Sequence, residues 1–284
     1  MIPLSRFTAS RFVTPSPLSR CLSSSAALRA DSSPHFRKAQ AAEPTYQHPL
    51  HHPIYTTEEL NAVQMLHKPP VDALQKIAYI AVRAIRAVFD VASGYAFGKV
   101  TERKLLRRFL FLETTAGIPG TVAATLRHLR SLRRVKRDHG WIPGLLEESE
   151  NERMHALMFS SLATPGPLFR LSVLVAQGVF WNVFFCSYVV SPRFSHSFVG
   201  YLEEEAVRTY SVALAHLDKG ELPVWSSLPA PDIAQRYYHL PATATIRDVL
   251  LNVRADEAWH RDTNHLFASL GPDDMNPHVM KKVK

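Results

Sequence analysis

Apolar residues recur every three or four positions along much of this chain, which is the spacing of one face of a helix. The first such stretch covers residues 71 to about 92, where Leu74, Ile77, Ala81 and Ile85 fall on one face. Arg83 and Arg86 interrupt that apolar surface with charged side chains. The pattern predicts a mainly helical protein.

Further helical stretches follow, separated by segments rich in Pro and Gly. A second helix is expected over residues 102–134, where Pro119 should kink the helix or open its hydrogen-bond ladder. The remaining stretches cover residues 145–162, 171–190, 194–217 and 246–270. HGWIPG and ATPGP are expected to be turns, and residues 223–231 a loop. The count is four long helices with polar motifs plus at least two others.

Two Glu-x-x-His motifs lie within these helices, Glu152 with His155 and Glu257 with His260. A three-residue step places both side chains on one face of a helix. A lone carboxylate precedes each motif: Glu113 before the first, and one of the LEEEA glutamates before the second. Four carboxylates and two imidazoles from four helices form the ligand set of a di-metal carboxylate bundle. Oxygen ligands without thiolate suit iron or manganese better than zinc.

Spacing alone leaves this interpretation open. Glu-x-x-His is short enough to occur by chance, and two solvated helix faces would give the same letters. Asp262 and His265 repeat the spacing one turn later. Spacing alone also leaves the choice among Glu203, Glu204 and Glu205 undecided, although Glu203 lies seven residues before Tyr210 and so shares its helix face.

Longer motifs carry a more specific signal. The blocks FLETTAGIPG, LLEESENERMH, VGYLEEEAVRTY and VRADEAWHRDTNH resemble, in this order, the motifs of the alternative oxidases, and HLRSLRR between the first two does so as well. The resemblance covers about residues 70–270. It implies an all-α, ferritin-like four-helix bundle with a di-iron centre, extra short helices and a monotopic membrane attachment.

The resemblance also implies roles for individual residues. The two iron ions would be bound by Glu113, Glu152, His155, Glu203, Glu257 and His260. Tyr210 would supply an electron and a proton during dioxygen reduction, and Asn151 and Asp256 would hydrogen-bond the ligands. The implied quinol-binding residues are Arg86, Arg108, Leu112, Ala116, Leu202, Glu205, Ala206 and Thr209. Arg86 and Arg108 could instead extend to lipid phosphates.

The sequence departs from the family pattern at several positions, none of them a ligand. Phe109 stands where several relatives have a small residue or Cys, which puts the shape of the quinol pocket in doubt. Ala123 and Ala124 replace a Gly pair, and Tyr238 replaces a Trp. Trp259 follows Ala258, where a polar residue is usual.

The formal net charge of +8 is distributed unevenly. Arg6, Arg11, Arg20 and Arg29 accompany many Ser in residues 1–30, which contain no acid. Residues 1–38 are therefore predicted to be a mitochondrial transit peptide. With the charge concentrated there, no nucleic-acid partner is expected.

Three other segments complete the predicted organisation. Residues 39–70, rich in His and Pro, read as an extended arm, which in the family embraces a partner subunit. The oxidase domain is expected over residues 71–270 and a C-terminal tail over 271–284. Cys186 lies in an apolar run and is expected to pack as a small hydrophobe.

Residues 171–190 carry no charge and are long enough to cross a bilayer. A single crossing there would place Glu113 and Glu152 on the opposite side from Glu203 and Glu257, so a metal site argues against it. Helices lying in one leaflet fit better. The first helix and the segment with Phe194, His196, Phe198 and Val199 are the candidates for this contact, although dimer interface or core would also explain them.

The resemblance finally implies an activity. It is the oxidation of ubiquinol and reduction of dioxygen to water, insensitive to cyanide and without proton pumping. The enzyme would be a homodimer on the matrix side of the mitochondrial inner membrane, in contact with its lipid. A plastid-type plastoquinol oxidase and a di-iron hydroxylase of quinone precursors remain alternatives.

Overall fold

The computed structural model describes residues 52–278, and within this range the chain forms nine helices. They are α1 Thr57–Ala62, α2 Ala73–Ala92, α3 Glu102–Arg134, α4 Trp141–Ser160, α5 Pro167–Val190, α6 Pro192–Asp218, α7 Pro223–Ser226, α8 Asp232–Tyr238 and α9 Ile246–Phe267. Over these residues the only β pairing is an isolated bridge between Pro229 and Thr245. The predicted all-α class is confirmed. The proposed transit peptide, the start of the arm and the end of the tail lie outside the described residues.

The long helices α3, α4, α6 and α9 form a four-helix bundle made of two pairs. Helix α3 packs along α4, and α6 packs along α9, whereas contacts between the two pairs are sparser. Both pairs are antiparallel, because Gly120 lies against Leu145 and Gly200 against His265. The space between the pairs is therefore wide enough for long polar side chains.

Glycine permits the close packing inside each pair. A Cβ atom on Gly120 would lie 2.5 Å from the backbone oxygen of Leu145, and one on Gly200 would lie 2.6 Å from Nδ1 of His265. Real Cβ atoms do not approach other atoms so closely, so a larger residue at position 120 requires movement of α4, and one at position 200 requires displacement of the His265 ring. Glycine thus determines the distance between the paired helices.

Two apolar clusters occupy the two ends of the bundle. One includes Phe109, Met158, Tyr210 and Leu250, and the other includes Val122, Trp141, Tyr201, Phe267 and their neighbours. On each of the four long helices, the predicted ligands fall between residues of one cluster and residues of the other. The predicted metal layer therefore lies in the middle of the core, with apolar packing on both sides.

Two sequence predictions about local structure were wrong. WIPG is not part of a turn but the first turn of α4, which begins at Trp141. Gly140 precedes it with φ +85°, and Asp138 accepts a hydrogen bond from the backbone N–H of Ile142 at 2.7 Å, which caps the helix. The predicted loop over residues 223–231 contains the short helix α7. Pro119 lies inside α3, which continues past it to Arg134.

Helices α2 and α5 lie outside the bundle and expose apolar side chains. Among the most exposed are Ile77 and Val88 on α2 and Leu168, Leu174 and Val183 on α5. By length and composition, α3 and α5 could each cross a membrane, but 44% of the apolar window of α3 is buried whereas only 11% of that of α5 is. The prediction that Cys186 packs in an apolar interior was wrong, since it is exposed on α5.

The segment predicted to meet the membrane before Tyr201 is instead part of the core. His196, Phe198 and Val199 are all buried. The His196 ring packs against Trp141 and Phe267, with ring centroids 5.7 and 5.3 Å away. The segment resembled a surface stripe because it is apolar, but α5 and α9 cover it.

Candidate metal centre

Four of the six predicted metal ligands converge on one point. Ligand atoms of Glu113, Glu152, His155 and Glu257 all lie within 4.8 Å of one another, and all four residues are buried. Nδ1 of His155 lies 3.3 Å from carboxylate oxygens of both Glu113 and Glu257. This cluster could hold a metal ion.

The other two predicted ligands border the same cluster. Nδ1 of His260 lies 2.7 Å from Oε1 of Glu152 and 3.9 Å from Oε2 of Glu257. Glu203 is buried, and the charges of Glu257 and Glu152 act on it directly. Both Glu-x-x-His motifs and both lone glutamates therefore face the same interior.

Several polar atoms of this cluster lack hydrogen bonds. Six buried atoms of the predicted ligands have no hydrogen-bond partner among residues 52–278. Each of these atoms is of a type that can bind a metal ion. They are Oε2 of Glu113, Oε1 and Oε2 of Glu152, Nδ1 of His155, Oε1 of Glu257 and Nδ1 of His260. Buried polar atoms without partners are rare and unfavourable, so their concentration here fits a site for cations.

The electrostatics of the cluster point the same way. Burial, followed by repulsion from Glu257, raises the pKa of Glu113 well above its usual range. Burial and the charges of Glu257 and Glu152 likewise raise the pKa of Glu203. Carboxylates that disfavour each other's ionisation in a buried space are stabilised as anions by a bound cation.

Hydrogen bonds behind the ligands fix the orientation of His155. Its Nε2 lies 3.0 Å from Oδ2 of Asp256, which also accepts hydrogen bonds from Asn151 at 2.9 Å and from Tyr238 at 2.7 Å. The carboxylate of Asp256 accepts a hydrogen bond from a protonated ring nitrogen, so Nε2 of His155 carries the proton and donates. Nδ1 is then the atom that can bind a metal ion. Tyr238 thus supplies a donor in place of the Trp that is common in the family.

A second Asn–carboxylate pair joins the same two helices near His260. Asn264 on α9 donates through Nδ2 to both carboxylate oxygens of Glu148 on α4, at 2.9 and 3.0 Å. The same amide donates to the backbone oxygen of His260 at 3.0 Å. Its Oδ1 accepts from Nδ1 of His196 at 3.0 Å, whose Nε2 accepts from the hydroxyl of Tyr188 at 3.2 Å. Burial raises the pKa of Glu148 to about 7.

Tyr210 adjoins the cluster from α6. Its hydroxyl donates to Oε1 of Glu113, and its ring stacks on Phe109 with centroids 4.5 Å apart. Burial and the charge of Glu113 raise the pKa of Tyr210 well above its usual value, so the hydroxyl keeps its proton. Phe109 points into the core against Tyr210 and Phe159.

The predicted quinol-binding residues gather between α2, α3 and α6. Arg86 donates to Oγ1 of Thr209 and to the backbone oxygen of Glu205, both at 3.0 Å. Arg108 is buried and donates to Asp90. The interpretation of Arg108 as a lipid-facing side chain is therefore wrong, because only 3% of its side chain is exposed. Leu112, Ala116, Leu202 and Ala206 lie nearby on α3 and α6 at helical spacing, all of them partly exposed.

The three consecutive glutamates on α6 point in three directions. Glu203 is buried at the metal cluster, Glu204 accepts from His67 and His265, and Glu205 pairs with Arg83 and Arg86. A helix turns by about 100° per residue, so consecutive side chains cannot share a site.

Sequence reasoning missed Asp90, Glu148, Tyr237 and Tyr55. Asp90 could have been found, since it is the only acid within the apolar helix α2. Tyr237 accepts a hydrogen bond from Asn151 at 2.9 Å, and Tyr55 donates to Oδ1 of Asp256 at 2.8 Å. Nothing in the local sequence marks these tyrosines as neighbours of the cluster.

Comparison with known proteins agrees with this geometry. The family model described as "Alternative oxidase" matches residues 55–269. A protein of Venturia inaequalis named "Alternative oxidase, mitochondrial" is 49% identical over 267 residues, which cover 87% of this chain and 72% of that protein. Proteins of the same name from Ajellomyces capsulatus and Yarrowia lipolytica are 50% and 44% identical, each over 81% of this chain and over 69% and 68% of their own lengths.

The matched region contains all six predicted ligands, Tyr210 and the Arg86–Arg108 region. The identity is well above the level at which only the fold is shared. The chain belongs to the alternative oxidase family.

Proposed function

We propose that this protein is a mitochondrial ubiquinol oxidase, which oxidises ubiquinol and reduces dioxygen to water without pumping protons or being inhibited by cyanide. The six buried ligand atoms without hydrogen bonds carry this proposal, because they belong to five of the six predicted di-iron ligands, on three of the four bundle helices. Family membership and the mitochondrial names of the relatives support it.

The proposed cofactor is a pair of iron ions held by Glu113, Glu152, His155, Glu203, Glu257 and His260. When bound, the irons would supply the redox chemistry that carries four electrons to dioxygen. Two ubiquinols provide these electrons and four protons, so the products are two ubiquinones and two waters. The apolar clusters on both sides of the ligand layer exclude solvent from it.

Two residues act on protons at this site. Tyr210 retains its proton and donates a hydrogen bond to Glu113, so we assign to it the delivery of a proton and an electron. Asp256 keeps the Nε2 proton on His155, and Asn151 holds Asp256 in place.

The quinol is proposed to bind where Arg86 and Arg108 meet the partly exposed residues of α3 and α6. Both guanidinium groups can donate to the quinol oxygens. Asp90 pairs with both, and Glu205 pairs with Arg86. The carboxylates hold these donors at the end of an apolar surface, where a quinol tail could enter.

The exposed apolar faces of α2 and α5 support a monotopic attachment to the matrix side of the inner membrane. The ligands from before and after α5 lie within 4.8 Å of one another, in line with a helix that lies on the bilayer. We further propose a homodimer, to be tested by light scattering after chromatography.

The test is oxygen uptake by the iron-loaded protein in liposomes, with a short-chain ubiquinol and cyanide. Uptake should occur with about two quinols consumed per dioxygen, and Glu152→Ala should abolish it. Glu150→Ala is the matched control, since Glu150 lies on the same helix and pairs with Arg153 at the surface. A trapped pH indicator should show no proton translocation. Oxygen inserted into the substrate, or no uptake by wild type, would contradict the proposal.

A further inference from the structure

The arm that precedes the bundle reaches the neighbourhood of the metal ligands. Tyr55 donates a hydrogen bond from its hydroxyl to Oδ1 of Asp256 at 2.8 Å, across 201 residues of sequence. Asp256 itself is only 1% exposed. Contacts of this kind, between an arm and the side chain that orients a ligand, extend the site beyond the four-helix bundle.

The two oxygens of Asp256 are held from different sides. Oδ2 faces Asn151, Tyr238 and His155, all on helices. Among the described residues, Oδ1 has one hydrogen bond, the one from Tyr55. The last torsion of an Asp side chain is soft, so a carboxylate held at one oxygen can still rotate. Hydrogen bonds to both oxygens fix the plane of the Asp256 carboxylate, and this in turn fixes the orientation of the His155 ring.

The position of Tyr55 is well determined by its surroundings. Helix α1 starts directly after it with a capping box, in which Thr56 and Glu59 each accept the other's backbone N–H. Farther along, Arg254 donates to the backbone oxygen of Leu60 at 2.7 Å and Arg261 to that of Gln64 at 3.0 Å. The arm is thus tied to α9 at positions before and after Asp256 in the helix.

The protonation state suits a donor. Burial and the charge of Asp256 raise the pKa of Tyr55 far above its usual value. The hydroxyl therefore keeps its proton throughout the physiological range.

We propose that Tyr55 is a positioning residue of the oxidase, which fixes His155 for metal binding by holding the second oxygen of Asp256. This inference rests on the proposed function, because it concerns the ligand of the same metal centre. It assigns part of the arm to the catalytic unit and makes the geometry of the centre depend on the arm being docked.

The experiment compares wild type with Tyr55→Phe, which removes one hydroxyl and keeps the ring. We expect the turnover rate per bound iron to fall about tenfold, the range seen when a partner of a metal ligand is removed. The KM for quinol should stay unchanged, since no described hydrogen bond or ion pair joins Tyr55 to Arg86 or Arg108. The electron paramagnetic resonance spectrum of the iron centre should also change, and iron should bind the apo-protein more weakly in a chelator competition.

Tyr79→Phe is the matched control. The Tyr79 ring packs on His67 of the same arm at 5.1 Å, and no described residue forms a hydrogen bond with its hydroxyl. This variant should match wild type in turnover, spectrum and iron affinity.

A double-mutant cycle tests the route through Asp256. If Tyr55 acts through this carboxylate, Tyr55→Phe combined with Asp256→Asn should lose no more turnover than Asp256→Asn alone. Full additivity would overturn the proposal. So would a Tyr55→Phe variant with an unchanged spectrum and turnover per iron, even if it unfolded at a lower temperature. An inactive wild type would instead refute the proposed function itself.

Discussion

The bundle contains two kinds of helix interface that differ in what holds them together. Within the pairs α3–α4 and α6–α9, glycines permit close packing: Gly120 faces the backbone of α4, and Gly200 faces the His265 ring of α9. Between the pairs, α4 and α9 are joined by the polar contacts Asn151–Asp256 and Asn264–Glu148. The first interface depends on shape, and the second on buried charge and hydrogen bonds. The protein therefore separates the packing that sets helix distance from the groups predicted to bind the metal.

The largest expected effect breaks the shape-dependent interface. Gly120→Ala places a Cβ atom 2.5 Å from the backbone oxygen of Leu145, so α3 and α4 must move apart. We expect the free energy of unfolding to fall by about 3 kcal/mol, as in other overpacked cores. Thermal or denaturant unfolding in detergent measures this. Gly178→Ala on α5 is the control, since no described atom lies within 4 Å of its Cβ position. Equal stability of the two variants would show that the helices do not depend on this contact.

A smaller effect is expected at the polar interface. Asn264→Leu removes the donors to Glu148 and leaves a buried carboxylate without its amide partner. The expected loss is about 2 kcal/mol of unfolding free energy. Asn182→Leu serves as the control, because Asn182 is exposed on α5 and its amide bonds only the backbone oxygen of Gly178. Hydrogen exchange should show faster opening of α9 in the first variant, and protection equal to wild type would contradict the role of this pair.

The smallest effect concerns pH. Burial lowers the pKa of His196 to about 4, so the unfolded state takes up this proton near pH 6.5 and the folded state does not. The contribution of His196 to the free energy of unfolding is therefore fully present above pH 6.5 and is lost as the pH falls toward 4. Relative to His196→Gln, wild type should lose about 1.4 kcal/mol between pH 7.5 and pH 5.5.

The comparison with His196→Gln is needed because the contribution of Glu148 to the free energy of unfolding changes with pH in the opposite direction. Its pKa of about 7 lies above the usual value for Glu, so protonation in the folded state adds stability as the pH falls from 7 toward 4.5. Wild type alone would show the sum of both effects. A pH profile of His196→Gln parallel to that of wild type would rule out the predicted contribution of His196.

The sequence predicted the long helices well because apolar periodicity and capping residues are local signals. At the start of α3, Thr101 accepts a hydrogen bond from the backbone N–H of Lys104, and at the start of α9, Asp248 accepts hydrogen bonds from the backbone N–H and the hydroxyl of Thr245. Both caps lie close to the predicted bounds. The first turn of α4 was missed because a Gly–Trp–Ile–Pro–Gly run resembles a turn, whereas Pro is well tolerated at the start of a helix.

The polar contacts around the cluster were less predictable. Spacing could not choose among Glu203, Glu204 and Glu205, since the choice depends on which helix each one faces. Glu148 and Asn264 are 116 residues apart, and Tyr55 and Asp256 are 201 apart. Neither pair has a local pattern that announces its partner, so only the packed structure brings them together.

The placement of the ligands between the two pairs has a consequence for the order of assembly. Each pair can close through glycine contacts and apolar side chains, without bringing carboxylates from all four helices together. Joining the pairs then forces Glu113, Glu152, Glu203 and Glu257 into one buried space, where their repulsion opposes the step. A cation bound as the pairs join would relieve that repulsion, so its binding free energy would add to the free energy of folding. Metal supply would then act as a checkpoint on maturation as well as a requirement for turnover.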